Sequence, residues 1–328
     1  MTAVEVFAPG KLFVIGEYAV LHGGRALVAA LDAGICCRLD DASGSWRISA
    51  PDLGLDMTLG KARADSRSAL LAEAVDAGVD KFHPERPLCV TVGGNHPASR
   101  RKCGLGGSAA SVVAILAAMA SVSGEDVESE ETRERLFALA LAVHRGHQGG
   151  RGSGADVAAS VYGGWVDYAL GENGARIARP ALPEEMCVSA AWSGIASDTA
   201  RAIIAFDRTD AKLRSILDRF WVAVQSQNRR EILREIAAYG VALGELAEAE
   251  GGAGARRIAE LVDAAGAARV ASKGSGAVGG DCVIAVAFDP AELRAAEDHW
   301  RKREAEPLRV SIDTRGVRRE EPHARREH

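Results

Sequence analysis

Glycines at 104, 106 and 107 followed by Ser108 open an apolar run, and that spacing suits an anion site. In GLGGSAAS (104–111) the glycines let backbone approach a ligand closely, and the helix that follows offers free N–H groups and a positive dipole end. Ser108 adds a hydroxyl that can donate to phosphate or ligate Mg²⁺. Close helix packing is the competing reading of the same small residues. Gly104-x-Gly106-x-x-Ala109 also satisfies the dinucleotide fingerprint, but that needs a strand ending at the first glycine, and here the basic turn SRRKC intervenes. A second loop, SKGSGAVGGD (272–281), holds G-x-G-x-x-G at Gly274, Gly276 and Gly279. A strand, DCVIAVAF, follows it instead of a helix, so the nicotinamide-oxidoreductase reading fails there too. Lys273 and Ser275 remain as donors to a phosphate or carboxylate. The third loop, GRGSGAD (150–156), opens a short helix with Asp156 in its first turn, where the dipole favours the charged carboxylate as cap, base or metal ligand. There is no Walker A pattern: Leu12 follows Gly10-Lys11, and Glu5 stands where the first glycine belongs. A phosphotransferase built on these loops is not a P-loop enzyme.

Something must position those loops. The runs VEVFA, KLFVI, ALVAAL, ICCRL, WRISA and LCVTV, separated by Gly, Pro and Asp, predict a sheet in the first hundred residues. SAASVVAILAAMASV (108–122) is apolar all round, as in a helix buried on every side, and Gly124 stops it. Over 130–147, Leu136, Leu139, Ala140 and Val143 recur at helical spacing. The strand GGWVDYAL follows the third loop, and GENGARIARPALPEE marks a domain boundary near 170–185. The second half reads as strand CVSAAW, helices at 198–206, 211–226, 229–249 and 254–265, strand DCVIAVAF, a helix at 290–303 and a last strand, LRVSI. That order is α+β. Domains are expected at 1–175 and 185–313, with the charged, aperiodic stretch 314–328 as a frayed tail without chemistry.

Composition narrows the function classes. A length of 328 residues, 47% hydrophobic and 26% charged, is that of a globular two-domain chain. Forty Lys+Arg against forty-five Asp+Glu give net −5, so no overall positive field gathers nucleic acid or anionic lipid. The start lacks a basic leader region and no run of 18 uncharged apolar residues occurs, so a cytoplasmic chain without a membrane segment is expected. The six cysteines include no C-x-x-C pair and read as buried thiols.

Four ordered blocks, APGKLFVIGEYAVLHGGRAL, GLGGSAAS, GRGSGADVAASVYGGWVDY and SKGSGAVGGDCVIAV, cover most of the chain and resemble the GHMP kinases, named for galacto-, homoserine, mevalonate and phosphomevalonate kinases. GEYAVL, GxGSGxDVAASVYGGW and the W-S-G-x-A-S-x-T run from Trp192 to Thr199 are similar to the phosphomevalonate branch in particular. The resemblance implies an α+β fold of two domains, an N-terminal α/β domain with a left-handed crossover and a C-terminal ferredoxin-like domain, with the active site between them. It implies ATP and Mg²⁺. Lys11 would contact the transferring phosphate and Asp156 would be the catalytic carboxylate. Gly104, Leu105, Gly106, Gly107, Ser108 and Ala109 would cradle the nucleotide phosphates, with Ser108 near the metal. The acceptor side would take Lys11, Glu17, Tyr18, Arg101, Lys102, Ser153, Gly154, Ser197, Lys273, Ser275, Gly276 and Ala277. The acceptor implied is phosphomevalonate, with mevalonate the alternative; the protein is expected to be a monomer or homodimer without nucleic-acid or membrane partners.

The chain departs from the family pattern in ways that bear on chemistry. Gly107 replaces the first Ser of the usual G-L-G-S-S-A loop, and Arg100-Arg101-Lys102-Cys103 replaces a Pro-containing turn. Mevalonate kinases carry a metal-binding Glu before the Asp loop; here no carboxylate occurs between Glu134 and Asp156, and His144, Arg145, His147 and Gln148 occupy that stretch. The H-x-x-H pair lacks a third nearby ligand for zinc. A phosphomonoester acceptor, with second pKa about 6, is mostly dianionic at neutral pH, so Asp156 need not remove a proton. Its added charge demands cations, for which Arg100, Arg101, Lys102 and Lys273 are candidates.

Overall fold

The computed structural model describes residues 3–98, 100, 102–171, 174–195, 210–250, 253–276 and 281–321. Neighbouring apolar runs at the start fuse into long strands. β1 (Val4–Ile15) absorbs VEVFA and KLFVI, and β2 (Arg25–Asp41) absorbs ALVAAL and ICCRL. Pro9 is tolerated inside β1 because the register with β2 shifts between Ala8 and Gly10, a bulge at which the missing N–H breaks no ladder bond. β3 (Arg47–Ala50), β4 (Leu55–Thr58) and β5 (Leu88–Gly94) extend the sheet in the order β12-β1-β2-β5-β3-β4, with β12 (Arg318–Glu320) coming from the end of the chain. Only β3 with β5 is parallel among these pairs. The short helix α1 (Leu59–Ala62) and the longer α2 (Ala69–Phe82) interrupt the β-rich part, where the sequence pattern predicts strands alone.

α3 (Gly107–Val122) is the central helix, and all of Ala109 to Ser121 is buried. Burying Val112, Val113, Ile115, Leu116 and Met119 stabilises by about 1.5–3 kcal/mol each. α4 (Glu130–His147) begins at Ser129, whose hydroxyl accepts from the Thr132 N–H at 3.3 Å. α5 (Ala155–Tyr162) follows the third glycine loop and leads into β6 (Trp165–Gly171), which pairs with β2 and with β7 (Gly174–Ala178). The segment expected to mark a boundary thus contributes a hairpin strand.

A second, antiparallel sheet has the order β11-β8-β10-β9, from β8 (Cys187–Trp192), β9 (Ala271–Ser275), β10 (Cys282–Ala287) and β11 (Glu306–Leu308). Helices α6 (Ala211–Gln225), α7 (Arg229–Glu250), α8 (Ala253–Ala265) and α9 (Pro290–Arg301) cover it. Alternation along β10 sorts its two faces. Cys282, Ile284 and Val286 join Phe220 of α6, Tyr239 of α7 and Leu12, Leu27 and Leu31 of the first sheet, whereas Val283, Ala285 and Ala287 face Leu261 of α8 and Trp300 of α9. One continuous core therefore links the two sheets.

Three expectations change. The glycine loop at 272–281 begins as strand β9, because Lys273 and Ser275 pair across to Ile284 and Cys282. The last strand of the second sheet lies at 306–308, not 308–312, and Ile312 instead bridges to Leu31. The tail is not frayed from 314: β12 (Arg318–Glu320) pairs with β1, Val317 is buried, and Arg318 stacks on Phe7 at 4.4 Å while pairing with Asp313 at 2.6 Å. The helix read at 198–206 lies outside the described residues. All six cysteines are free thiols, with Cys37, Cys103 and Cys282 buried.

Candidate active site

A cleft of about 530 Å³ is walled by the end of β1, the loop before α3, the loop before α5, and the segments flanking the second glycine loop. Lys11 stands at its base. Its side chain is buried, its Nζ donates to the Gly104 carbonyl at 2.8 Å and lies 5.4 Å over the Phe13 ring, and its own N–H donates to the Leu105 carbonyl at 2.7 Å. Gly106, at φ +78°, closes this contact: a Cβ there would sit 2.7 Å from Lys11 Cγ. A glycine is therefore required both by the backbone and by the lysine stem. From behind, Cys282 Sγ donates to the Cys103 carbonyl, and Asp281 packs on Gly104, where a Cβ would meet its Cβ at 2.5 Å. The phosphate-type loop is thus held by β1 on one side and β10 on the other.

Ser108 sits in the first turn of α3 and lines the cleft, its Oγ 3.1 Å from His144 Nε2. Asp156 lies in the first turn of α5, with Gly154 as the left-handed N-cap at φ +85°. Its Oδ1 accepts from the Val157 N–H at 2.9 Å, and its Oδ2 is 3.9 Å from His144 Nδ1. Ser153 is fixed by Tyr168, whose hydroxyl donates to the Ser153 carbonyl at 2.6 Å. Burial first, and then the nearby Asp156 charge, hold the Tyr168 hydroxyl protonated well above its ordinary range. Tyr18, at φ +60°, is a buried residue in a sparsely populated backbone region beside the cleft.

Of the residues singled out from sequence, Lys11, Glu17, Tyr18, Lys102, Gly104, Leu105, Gly106, Gly107, Ser108, Ser153, Asp156 and Gly276 line this one cleft. Ala109 is buried in α3, and Gly154 acts through the turn before α5. Lys273 and Ser275 are in the wall: Lys273 is fully buried against Glu17, and Ser275 donates to the Phe13 carbonyl at 2.9 Å. Alternation along β9 points both inward, which corrects the reading of either as a free phosphate donor. Arg100 also turns elsewhere, donating to the Gly94 carbonyl at 3.0 Å and lying 3.9 Å from Asp52. Arg101, Ser197 and Ala277 lie outside the described residues. Sequence reasoning missed Gln148 and Asp281 as cleft residues; no spacing signal marks either one. Among the described residues no cluster of three His, Cys, Asp or Glu is placed to hold a metal, and no helix is long and apolar enough to cross a membrane.

Comparison with known proteins agrees with this architecture. The family description "GHMP kinases N terminal domain" matches residues 69–164, which hold α2, β5, α3, α4 and the whole of α5 with Asp156. Phosphomevalonate kinase from a Streptomyces species is 28% identical, over 94% of this chain and 97% of its own. Mevalonate kinase from Methanothermobacter thermautotrophicus is also 28% identical, over 85% and 88% respectively. Among solved structures, the Lin0012 protein of Listeria innocua superposes with TM-score 0.81 at 24% identity, covering 98% of this chain and all of that one. Streptococcus pneumoniae phosphomevalonate kinase in complex with phosphomevalonate and AMPPNP superposes with TM-score 0.77 at 22% identity, covering 95% and 100%. Residues 69–164 therefore match the GHMP kinase N-terminal domain, and the chain as a whole is similar to phosphomevalonate and mevalonate kinases.

Proposed function

We propose that this protein transfers the γ-phosphoryl group of ATP to phosphomevalonate, giving mevalonate diphosphate and ADP. The observation that carries the reading is the meeting of Lys11, the glycine loop with Ser108, and Asp156 around one cleft. Phosphoryl transfer works by positioning and by neutralising charge on the migrating group. Lys11 supplies a buried cation, and the first turn of α3 supplies N–H groups and its dipole. An acceptor phosphate oxygen attacks the γ-phosphorus while the bond to ADP breaks. Since that oxygen is already ionised, Asp156 orients the acceptor and Lys11 and removes no proton. Lys102, exposed at the cleft edge, serves the acceptor's charge.

Mg²⁺ fits the oxygen donors present. The Ser108 hydroxyl and the Asp156 carboxylate would hold the ion on this side of the cleft, with phosphate oxygens and water in the remaining positions. When bound, the ion adds positive charge where the phosphates gather it. The support for a phosphorylated acceptor is the GRGSGADVAASVYGGW segment, the absence of a carboxylate between Glu134 and Asp156, and the extent of similarity to the Streptomyces phosphomevalonate kinase. Mevalonate itself is the second reading, favoured by Arg100 turning away from the cleft. A coupled ADP-release assay with both acceptors decides. The expected result is kcat/KM at least about 10³-fold higher for phosphomevalonate, as two or three charge-assisted contacts can supply; a preference for mevalonate overturns the assignment.

A further inference from the structure

His144 occupies the last turn of α4, its side chain 1% exposed, between the two loops on which the kinase reading rests. A fully buried imidazole needs partners for both ring nitrogens, and here each faces one of the site's functional groups. Nε2 lies 3.1 Å from Ser108 Oγ and 3.4 Å from Gln148 Nε2. The Gln148 amide nitrogen can only donate, so Nε2 is the accepting nitrogen and the ring proton belongs on Nδ1. Nδ1 is buried without a hydrogen-bond partner and sits 3.9 Å from Asp156 Oδ2. That is the pairing an Nδ1–H requires, less than 1 Å beyond hydrogen-bond distance.

We propose that His144 is a positioning residue for phosphoryl transfer, which fixes Ser108 through Nε2 and Asp156 through Nδ1–H with a single ring. The proposal rests on the kinase reading of the cleft and is independent of which acceptor is used. With Nε2 accepting, the Ser108 hydroxyl must point its hydrogen at the ring. Its lone pairs are then left facing the cleft, the orientation a phosphate-bound cation needs. With Nδ1–H donating as the cleft fills, Asp156 is held at one rotamer. A carboxylate in this position would add a negative charge beside Asp156; an imidazole adds none and orders both partners. Gln148 fixes the tautomer in turn, because a side chain at Gly152 would strike its Oε1 and the glycine leaves that amide room to point its nitrogen at the ring.

Two substitutions separate the two contacts. His144→Gln places an amide near the Nε2 position and keeps a partner for Ser108, while His144→Asn places one near Nδ1 and keeps a donor for Asp156. The expected outcome is a crossed pattern. His144→Gln lowers kcat about 10²-fold with the ATP KM within about threefold of the parent, and His144→Asn raises the ATP KM and the calorimetric ATP–Mg²⁺ Kd about tenfold with kcat within about tenfold. Variants that fail to separate in this way, whether equally impaired or both unimpaired, overturn the proposal. ¹⁵N-histidine NMR of the parent protein gives a second measurement that needs neither turnover nor a variant: the Nδ1–H tautomer is expected for His144, and an Nε2–H tautomer overturns it. If neither acceptor is turned over by the parent protein, the acceptor reading fails, whereas the nucleotide Kd values and the NMR tautomer still decide the role of His144.

Discussion

Lys273 Nζ, on a strand of the second sheet, is hydrogen-bonded to Glu17 Oε1 in the loop after β1, and both side chains are buried. The same Oε1 accepts from the Gly276 N–H at 3.4 Å, and Tyr239 donates to the Glu17 carbonyl at 2.6 Å. The pair therefore ties the two halves of the cleft wall to one another. Burial lowers the Lys273 pKa, and the adjacent Glu17 opposes that effect.

Breaking this pair leaves a buried charge without its partner. Lys273→Met is expected to cost roughly 3–5 kcal/mol in urea unfolding, and adding Glu17→Gln should recover most of that loss. Equal destabilisation in the single and double variants would show that packing of the lysine stem, not charge, dominates. The pH dependence has a definite sign. Because the native pKa lies below the ordinary 10.5, the unfolded chain holds the proton more strongly, so this group's contribution to stability rises as pH increases through the lowered value toward 10.5. The Met variant should lack that rise.

Gly106→Val should abolish nucleotide binding while circular dichroism stays unchanged. The added side chain meets the Lys11 stem at a positive φ, and the loop must back away from the phosphate position. Unaltered ATP affinity by calorimetry would show that the loop only packs.

Asp156→Asn and Lys11→Met should each lower kcat by about 10²-fold or more, with much smaller effects on ATP affinity. Lys11→Met removes the cation directed at the migrating group, and Asp156→Asn removes the carboxylate that orients the acceptor and Lys11. Near-normal turnover in either variant removes that residue from the chemistry.

Lys102→Ala should raise the KM for the acceptor several-fold and leave the ATP KM within about twofold, since its side chain is exposed at the cleft edge. If the ATP KM rises instead, the lysine serves the nucleotide.

Truncation after Asp313 should destabilise the fold by about 3 kcal/mol or more. It removes β12 from the edge of β1, exposes the surface that buried Val317 covers, and strips Asp313 of Arg318. Unfolding midpoints unchanged by the truncation would mean that the strand adds nothing to the sheet.

The local signals in this chain are the ones that needed no partner. The uniformly apolar run after Ser108 and the helical spacing from Glu130 to His147 dictate α3 and α4, because a helix's period is written within a few turns. The three glycine loops, Lys11 and Asp156 were also legible, since backbone freedom and charge reside in residue type. What the tertiary structure decided depends on pairing at a distance. SKGS became strand β9 because β10 lies beside it, and the resulting alternation turned Lys273 from a loop donor into a buried partner of Glu17, 256 residues away in the chain. The charged tail became β12 because the edge of β1 offered unpaired backbone groups and Phe7 and Asp313 offered Arg318 a stack and a carboxylate. In the sequence His144 is only half of an H-x-x-H pair; the packing of α4 against α3 and α5 brings its two nitrogens to Ser108 and Asp156.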